Sequence, residues 1–258
     1  MNIVLLIDDI NCRVNPQLKE ELEKLGGKVY RLNEVWPYFK NGIWSREMFH
    51  RHHEKLVVID NTGYLGSANV ADMYAGYLYG ENRMFDLNMK LTNLCISEMR
   101  KVMSDTASLY NLRLDKDLSN EEVVAKYNEM YKDSLFNVNN VRLIKSVPPN
   151  QLDIQNFILE NIYNAKKSIY MIQPYYYRVR AFEKAVLDAL SRGVHVEIIT
   201  AHKRDQAVYA SAKNMLLMKN MVMNGLNVYE HHDKLLHMKT YIFDDKVYTL
   251  GKLHGAFS

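Results

Sequence analysis

Two segments of this chain share one pattern, and any fold must accommodate both. His53, Lys55 and Asp60 stand as His-x-Lys-x4-Asp around the apolar run LVVI, and His237, Lys239 and Asp244 repeat the spacing around TYIF. On an extended strand, residues i and i+2 share a face, so each His projects together with its Lys. The Asp, seven positions on, falls on the opposite face, and Asp60 reads as a brace for the strand end rather than a reacting group. A random chain with 9 His would show one such match roughly one time in twenty-five, and two about one time in a thousand. Gly66-Ser67-x-Asn69 follows the first copy, and Gly251 lies just beyond the second.

The repetition extends to the surrounding elements. IVLLI at 3–7 reads as a buried strand, PQLKEELEKL at 16–25 as a helix with Pro16 at its start and Gly26-Gly27 at its stop, and KVYRL at 28–32 as a second strand. VHVEIIT at 194–200, a Met- and Leu-rich helix at 214–224 and LNVYE after Gly225 repeat that order, so the chain reads as an internal duplication. Strand, helix, strand predicts an α/β architecture, a mostly parallel sheet covered by helices. The expected division is a first half at 1–100, a connecting segment at 101–150 and a second half at 151–258. In the connection, residues 94–110 read as a helix, Ser119 and Glu122 as a capping box, VRLIKSV as a strand, and LDIQNFILENIYNAKK as a helix with Leu152, Phe157, Ile158 and Ile162 inward. A helix is also expected after Asn69, broken by Gly76 and Gly80.

Paired His-x-Lys-x4-Asp motifs, the first followed by Gly-Ser-x-Asn, resemble the phospholipase D superfamily. The segments LLIDDI, RHHEKLVVID, GSANVADMYAG, Phe85-Asp86, IQPYYY and LLHMKT look most like its bacterial-type cardiolipin synthases. The resemblance implies two similar halves, each a mixed, mostly parallel sheet flanked by helices, related by a pseudo-twofold axis. It implies that Asp86 orients a catalytic His, taken as His53, where the alternative is a solvated turn residue. It places Tyr175, Tyr176 and Tyr177 along a substrate channel, where packing is the alternative. It also calls for Ser-x-Asn after Gly251, whereas Lys252, Leu253 and His254 stand there. The strand and helix ahead of residue 194 have no counterpart ahead of Met1. Together these departures lead to the expectation of a chain shortened at both ends and a poor catalyst.

Composition fits without deciding. With 258 residues and 48% hydrophobic content, a sizeable core is available. A formal charge of +3 suits an anionic partner but is far from an excess that argues for nucleic acid. Cys12 and Cys95 make neither a disulfide framework nor a metal cluster. No apolar run reaches the ~18 residues of a membrane span, so the expected membrane contact is peripheral. Trp36, Tyr38, Phe39 and Trp44, interleaved with Lys40 and Arg46, suit either a lipid headgroup zone or a cover over packed residues. For His50 and His52, as for His231 and His232, no Cys or acidic residue completes a ligand set nearby and the resemblance needs no metal, so no metal or other cofactor is expected.

The residue types then suggest a mechanism. Charge developing on a phosphodiester would be met by Lys55, Lys239, Ser67 and Asn69. One neutral His attacks phosphorus to give a phosphohistidine, and the other, protonated, serves the leaving alkoxide. His53 is assigned as nucleophile and His237 as general acid and base, with the reverse order open. The resemblance favours phosphatidylglycerol as substrate, cardiolipin and glycerol as products, and a bacterial cytoplasmic membrane or mitochondrial inner membrane as location. Hydrolysis by a phospholipase D, cleavage of nucleic acid, and a catalytically dead lipid-binding relative are the alternatives; oligomeric state is open.

Overall fold

A computed structural model describes residues 3–9, 14–36, 40–42, 53–75, 80, 83–92, 94–109, 112, 141–144, 152–176, 178–202, 216, 218–232 and 235–251. The chain forms two compact units, one of residues 1–63 with 92–143 and the other of residues 64–91 with 144–258. Residues 64–91, which the sequence reading assigns to the first half, fall in the second unit.

In the first unit, β1 (Val4–Asp8) pairs in parallel with β2 (Lys28–Leu32), from Val4↔Lys28 to Asp8↔Leu32. The crossover is α1 (Pro16–Lys24), where the Asn15 side chain accepts from Gln17 N at 2.9 Å and Pro16 occupies the first turn. The Leu stripe of α1 is only partly used: Leu18 and Leu25 are exposed, while Leu22 lies against Gly27, where any Cβ would come within 2.6 Å of its Cγ. β3 (Leu56–Ile59) leads through Asp60 into β4 (Thr62–Gly66), along which the unit boundary runs. α2 (Leu94–Leu109) packs on β3 and is tied to it by Arg100 Nη2 donating to Asp60 O at 2.7 Å and Thr106 Oγ1 donating to Glu54 Oε2 at 2.8 Å.

The second unit is built on a five-stranded sheet in the order β12-β11-β7-β8-β9. β7 (Ser168–Ile172), β8 (His195–Ala201) and β9 (Asn227–His231) run parallel, and β11 (Thr240–Phe243) and β12 (Val247–Leu250) are added antiparallel. α3 (Asp153–Asn164) and α4 (Arg180–Ser191) contribute Ile158, Ile162, Ala185 and Val186 to a core with Ile169 and Val196, all fully buried. The strands expected around 168–172, 194–200 and 226–230 are present here, as is α4 with its stop at Gly193, whose φ of +81° suits a residue without Cβ; the helix expected at 214–224 lies partly outside the described residues.

Residues 84–92 form two strands, β5 (Met84–Phe85) and β6 (Asn88–Thr92), interrupted at Asp86 and Leu87. β5 pairs in parallel with β10 (Leu235–Leu236), Leu235 opposite Met84 and Leu236 opposite Phe85. That pairing carries residues 64–91 into the second unit. Of the helix expected after Asn69, the described residues show a 3-10 turn, Asp72–Tyr74, and residues 76–79, 81 and 82 lie outside them; residues 141–144 form no strand. The Ser119–Glu122 box lies outside the described residues.

Candidate active site

His237 follows β10, and its backbone N–H donates to Phe85 O at 3.0 Å, fixing the motif against the β5 segment. One residue past Phe85, the Asp86 carboxylate meets the imidazole: Oδ2 lies 2.8 Å from His237 Nδ1. Oδ1 accepts from Leu87 N at 2.8 Å and from the Ser67 hydroxyl. Burial works to raise the Asp86 carboxyl, but the hydrogen bonds from His237, Ser67 and Leu87 and the imidazole charge outweigh it, holding it below its usual value. The side chains of Asp86 and His237 are 5% and 17% exposed, so the pair sits largely out of water.

This arrangement corrects two expectations. The imidazole that Asp86 holds is His237, not His53, because β5 is paired to β10 and delivers its carboxylate there. Ser67, expected to bind phosphate, is fully buried with its hydroxyl committed to Asp86, so it supports the carboxylate. Gly66 makes that placement possible: a Cβ there would stand 1.9 Å from Asn88 Oδ1 and 2.5 Å from Leu87 O.

Lys239, expected to meet phosphate, is 2% exposed, and its Nζ donates to His237 O at 2.6 Å. In the first unit Lys55 Nζ donates to His53 O at 3.1 Å and stands 3.5 Å from His53 Nδ1. Each motif lysine thus reaches back to the carbonyl of its own histidine, a repetition of geometry that follows the repetition of sequence.

Asp244 has the part foreseen for Asp60. Its carboxylate accepts from the backbone N–H groups of Lys166, Lys167 and Ser168 at 2.8, 2.7 and 3.0 Å, clamping the entry to β7. Desolvation would raise its pKa; these donors, with Lys246 nearby, pull it below the usual carboxylate value instead. Asp244 and Asp245 have φ of +51° and +54°, the left-handed pair that a tight hairpin between β11 and β12 requires. Asp60, at φ +47°, opens the equivalent turn of the first motif. A catalytic role for Asp244 is corrected to that of a brace, because its acceptor oxygens are filled by backbone.

Tyr74 was missed by sequence reasoning. Its ring stands edge-on to His237, centroids 5.5 Å apart, and its hydroxyl accepts from Asn69 Nδ2 at 3.0 Å. Burial pushes the Tyr74 hydroxyl above its ordinary pKa, and the nearby Asp86 charge and Tyr175 add to that. Nothing local in DMYAG marks that residue. Among the three consecutive tyrosines, Tyr175 remains half-buried near Tyr74. Tyr176 is corrected to a core residue, 5% exposed and against Phe182, its hydroxyl pushed up to about 12 chiefly by burial. Tyr177 lies outside the described residues, as do His50, His52, Tyr38, Phe39, Trp44, Arg46, Lys252, Leu253 and His254. Trp36, from the aromatic insert, is 72% exposed.

Residues 158–252 match the family described as cardiolipin synthase, PLD-like domain. Cardiolipin synthase 2 of Staphylococcus epidermidis is 28% identical over 261 residues, covering 97% of this chain and 50% of that protein. A cardiolipin synthase of Staphylococcus aureus is 29% identical, with 97% of this chain and 49% of that protein covered. The chain thus spans half the length of these curated relatives. Among solved structures, phosphatidylserine synthase of Haemophilus influenzae superposes with a TM-score of 0.54 at 15% identity, covering 95% of this chain and 71% of that one, a likeness of fold.

Proposed function

We propose that this chain is a phosphatidyltransferase of the phospholipase D superfamily, joining two phosphatidylglycerols into cardiolipin and glycerol, a reading supported by the match of residues 158–252 to the cardiolipin synthase, PLD-like domain and by the likeness to staphylococcal cardiolipin synthases. The observation that carries the reading is the buried Asp86–His237 pair. With Nδ1 held by a carboxylate, Nε2 is the nitrogen that exchanges protons, and the carboxylate stabilises the imidazolium when it forms.

His53 is the nucleophile in this reading. Its imidazole nitrogen bonds to phosphorus as the bond from phosphorus to the headgroup glycerol oxygen breaks, and His237 gives the departing alkoxide its proton. His237 then takes the proton from the glycerol hydroxyl of a second phosphatidylglycerol, whose oxygen attacks phosphorus and releases His53. In this reading Lys55 and Asn69 meet the charge that develops on phosphate, Lys239 holds the His237 carbonyl, and Tyr74 and Tyr175 line the approach to His237. The substrate is reached at a membrane surface; among the described residues no helix is long and apolar enough to cross a bilayer.

The test is thin-layer chromatography of phosphatidylglycerol vesicles incubated with the purified chain. Cardiolipin supports the proposal. Phosphatidic acid alone makes water the acceptor, and the absence of any product from a folded preparation makes the chain a lipid-binding relative.

A further inference from the structure

We propose that His202, Glu230 and His232 form a binding site for a divalent transition-metal ion of the zinc type, clamping the ends of β8 and β9. The register places them together. Thr200 stands opposite Glu230 and Ala201 opposite His231 in the parallel β8–β9 pair, so His202 leaves β8 beside His232. Glu230 on β9 and His232 just past its end are two positions apart, the spacing that puts side chains on one side of an extended chain. His202 Nδ1 is 2.9 Å from Glu230 Oε2, and the His202 and His232 rings are 3.9 Å apart between centroids.

One ligand atom from each of the three lies within 4.8 Å of the others. A tetrahedral zinc with bonds of 2.0–2.1 Å needs ligand atoms about 3.4 Å apart, a closure within reach of side-chain rotation at the exposed His232. Two neutral imidazoles and one carboxylate suit zinc, copper or cobalt far better than magnesium or calcium, and they leave a fourth position for water. The site lies where the parallel strands end, the edge of an α/β sheet at which ligands gather.

The clamp bears on the reaction site through one residue. His231, between the two ligands on β9, stacks on Phe85 with centroids 5.3 Å apart, and Phe85 precedes the Asp86 that holds His237. An ion fixing Glu230 and His232 therefore also steadies the ring on which that segment rests. Sequence reading passed over the cluster because Glu230, His231 and His232 by themselves lack a ligand set, and the completing His202 follows a different strand, β8.

The experiment uses tag-free 258-residue chain, treated with chelator and titrated with Co2+ and then Zn2+. One equivalent of Co2+ should give the visible absorption of a nitrogen- and oxygen-ligated ion, Zn2+ should displace it, and Zn2+ should raise the Tm, because an ion that binds only the folded chain stabilises it. His232→Gln, at an exposed position that leaves the core untouched, and His202→Gln should each weaken binding by at least about 100-fold, since even groups that merely support a metal ligand cost 10–100-fold. Far-ultraviolet circular dichroism verifies that the variants fold. Failure of the wild type to bind either ion at micromolar concentration overturns the proposal. So does binding that survives both substitutions, which would assign the ion to other histidines.

Discussion

His237 Nδ1 lies 2.8 Å from Asp86 Oδ2, a contact between residues 151 positions apart that ties the downstream motif to a carboxylate from the upstream repeat. Replacing Asp86 with Asn keeps the shape and removes the charge. Product formation should fall by about 10³ to 10⁴-fold, as when a triad-type orienter loses its carboxylate, with the Tm nearly unchanged. Initial rates on phosphatidylglycerol vesicles, read beside a melting curve, provide the check; a wild-type rate would remove Asp86 from the reaction.

Asp244 makes a pH prediction. Its folded pKa is depressed below the ordinary 3.8, so its stabilising effect is present above the unfolded pKa and is lost as pH falls through the lower folded value. Asp244→Asn should cost about 1–2 kcal/mol at neutral pH, the lower part of the range for hydrogen bonds to a charged group because the site is partly exposed. Asn tolerates the left-handed backbone there, so the turn itself is little disturbed. Urea titrations from pH 7 down to about 3 should show the gap between wild type and variant closing below pH ~4. A gap constant across that range would place the stabilisation elsewhere.

Two glycines separate a hard clash from a soft one. Gly66→Ala drives a methyl against Leu87 O and Asn88, part of the segment that holds Asp86. Gly63→Ala drives it into Met99 Sδ at 2.3 Å, the far end of a flexible side chain. The first should lose about 2–3 kcal/mol, the upper part of the overpacking range, and most activity; the second should lose about 1 kcal/mol. Chemical denaturation of both variants measures the difference, and equal costs would contradict it.

Tyr74→Phe removes the hydroxyl that accepts from Asn69 while keeping the ring edge against His237. Activity should drop about 10-fold, about the 1.4 kcal/mol of one hydrogen bond, and Tyr74→Ala should drop further because the ring contact goes too. Rates for the pair, measured on the same vesicles, decide it; equal rates for Phe and Ala would assign the whole effect to the hydroxyl.

Local signals carried much of the fold. The Asn15–Pro16 start of α1, the Gly193 stop of α4 and the alternation along β8 are short-range facts of chemistry, and the structure follows them. The histidine-lysine pairs were legible because a period of two needs no tertiary information. Asp86 was singled out as an orienter, but its partner was misassigned, since strand pairing across 151 residues decides which imidazole it meets. Ser67 and Asn69 looked alike as donors until burial separated them, one beneath the carboxylate and the other beside Tyr74. Tyr175 and Tyr176 are neighbours in sequence with different surroundings, a distinction that only packing makes. Of the helix expected after Asn69, the described residues hold the 3-10 turn Asp72–Tyr74.

The pairing of β5 with β10 makes the two repeats poor modules. A gene cut near residue 150 would give a downstream fragment that keeps the five-stranded sheet and the whole second motif, yet lacks Ser67 and Asp86. Its His237 would have no carboxylate on Nδ1, however well the fragment folded. Residues 64–91 would have to be supplied in trans or grafted ahead of α3, so recombination among relatives should exchange that stretch together with the second motif rather than the first.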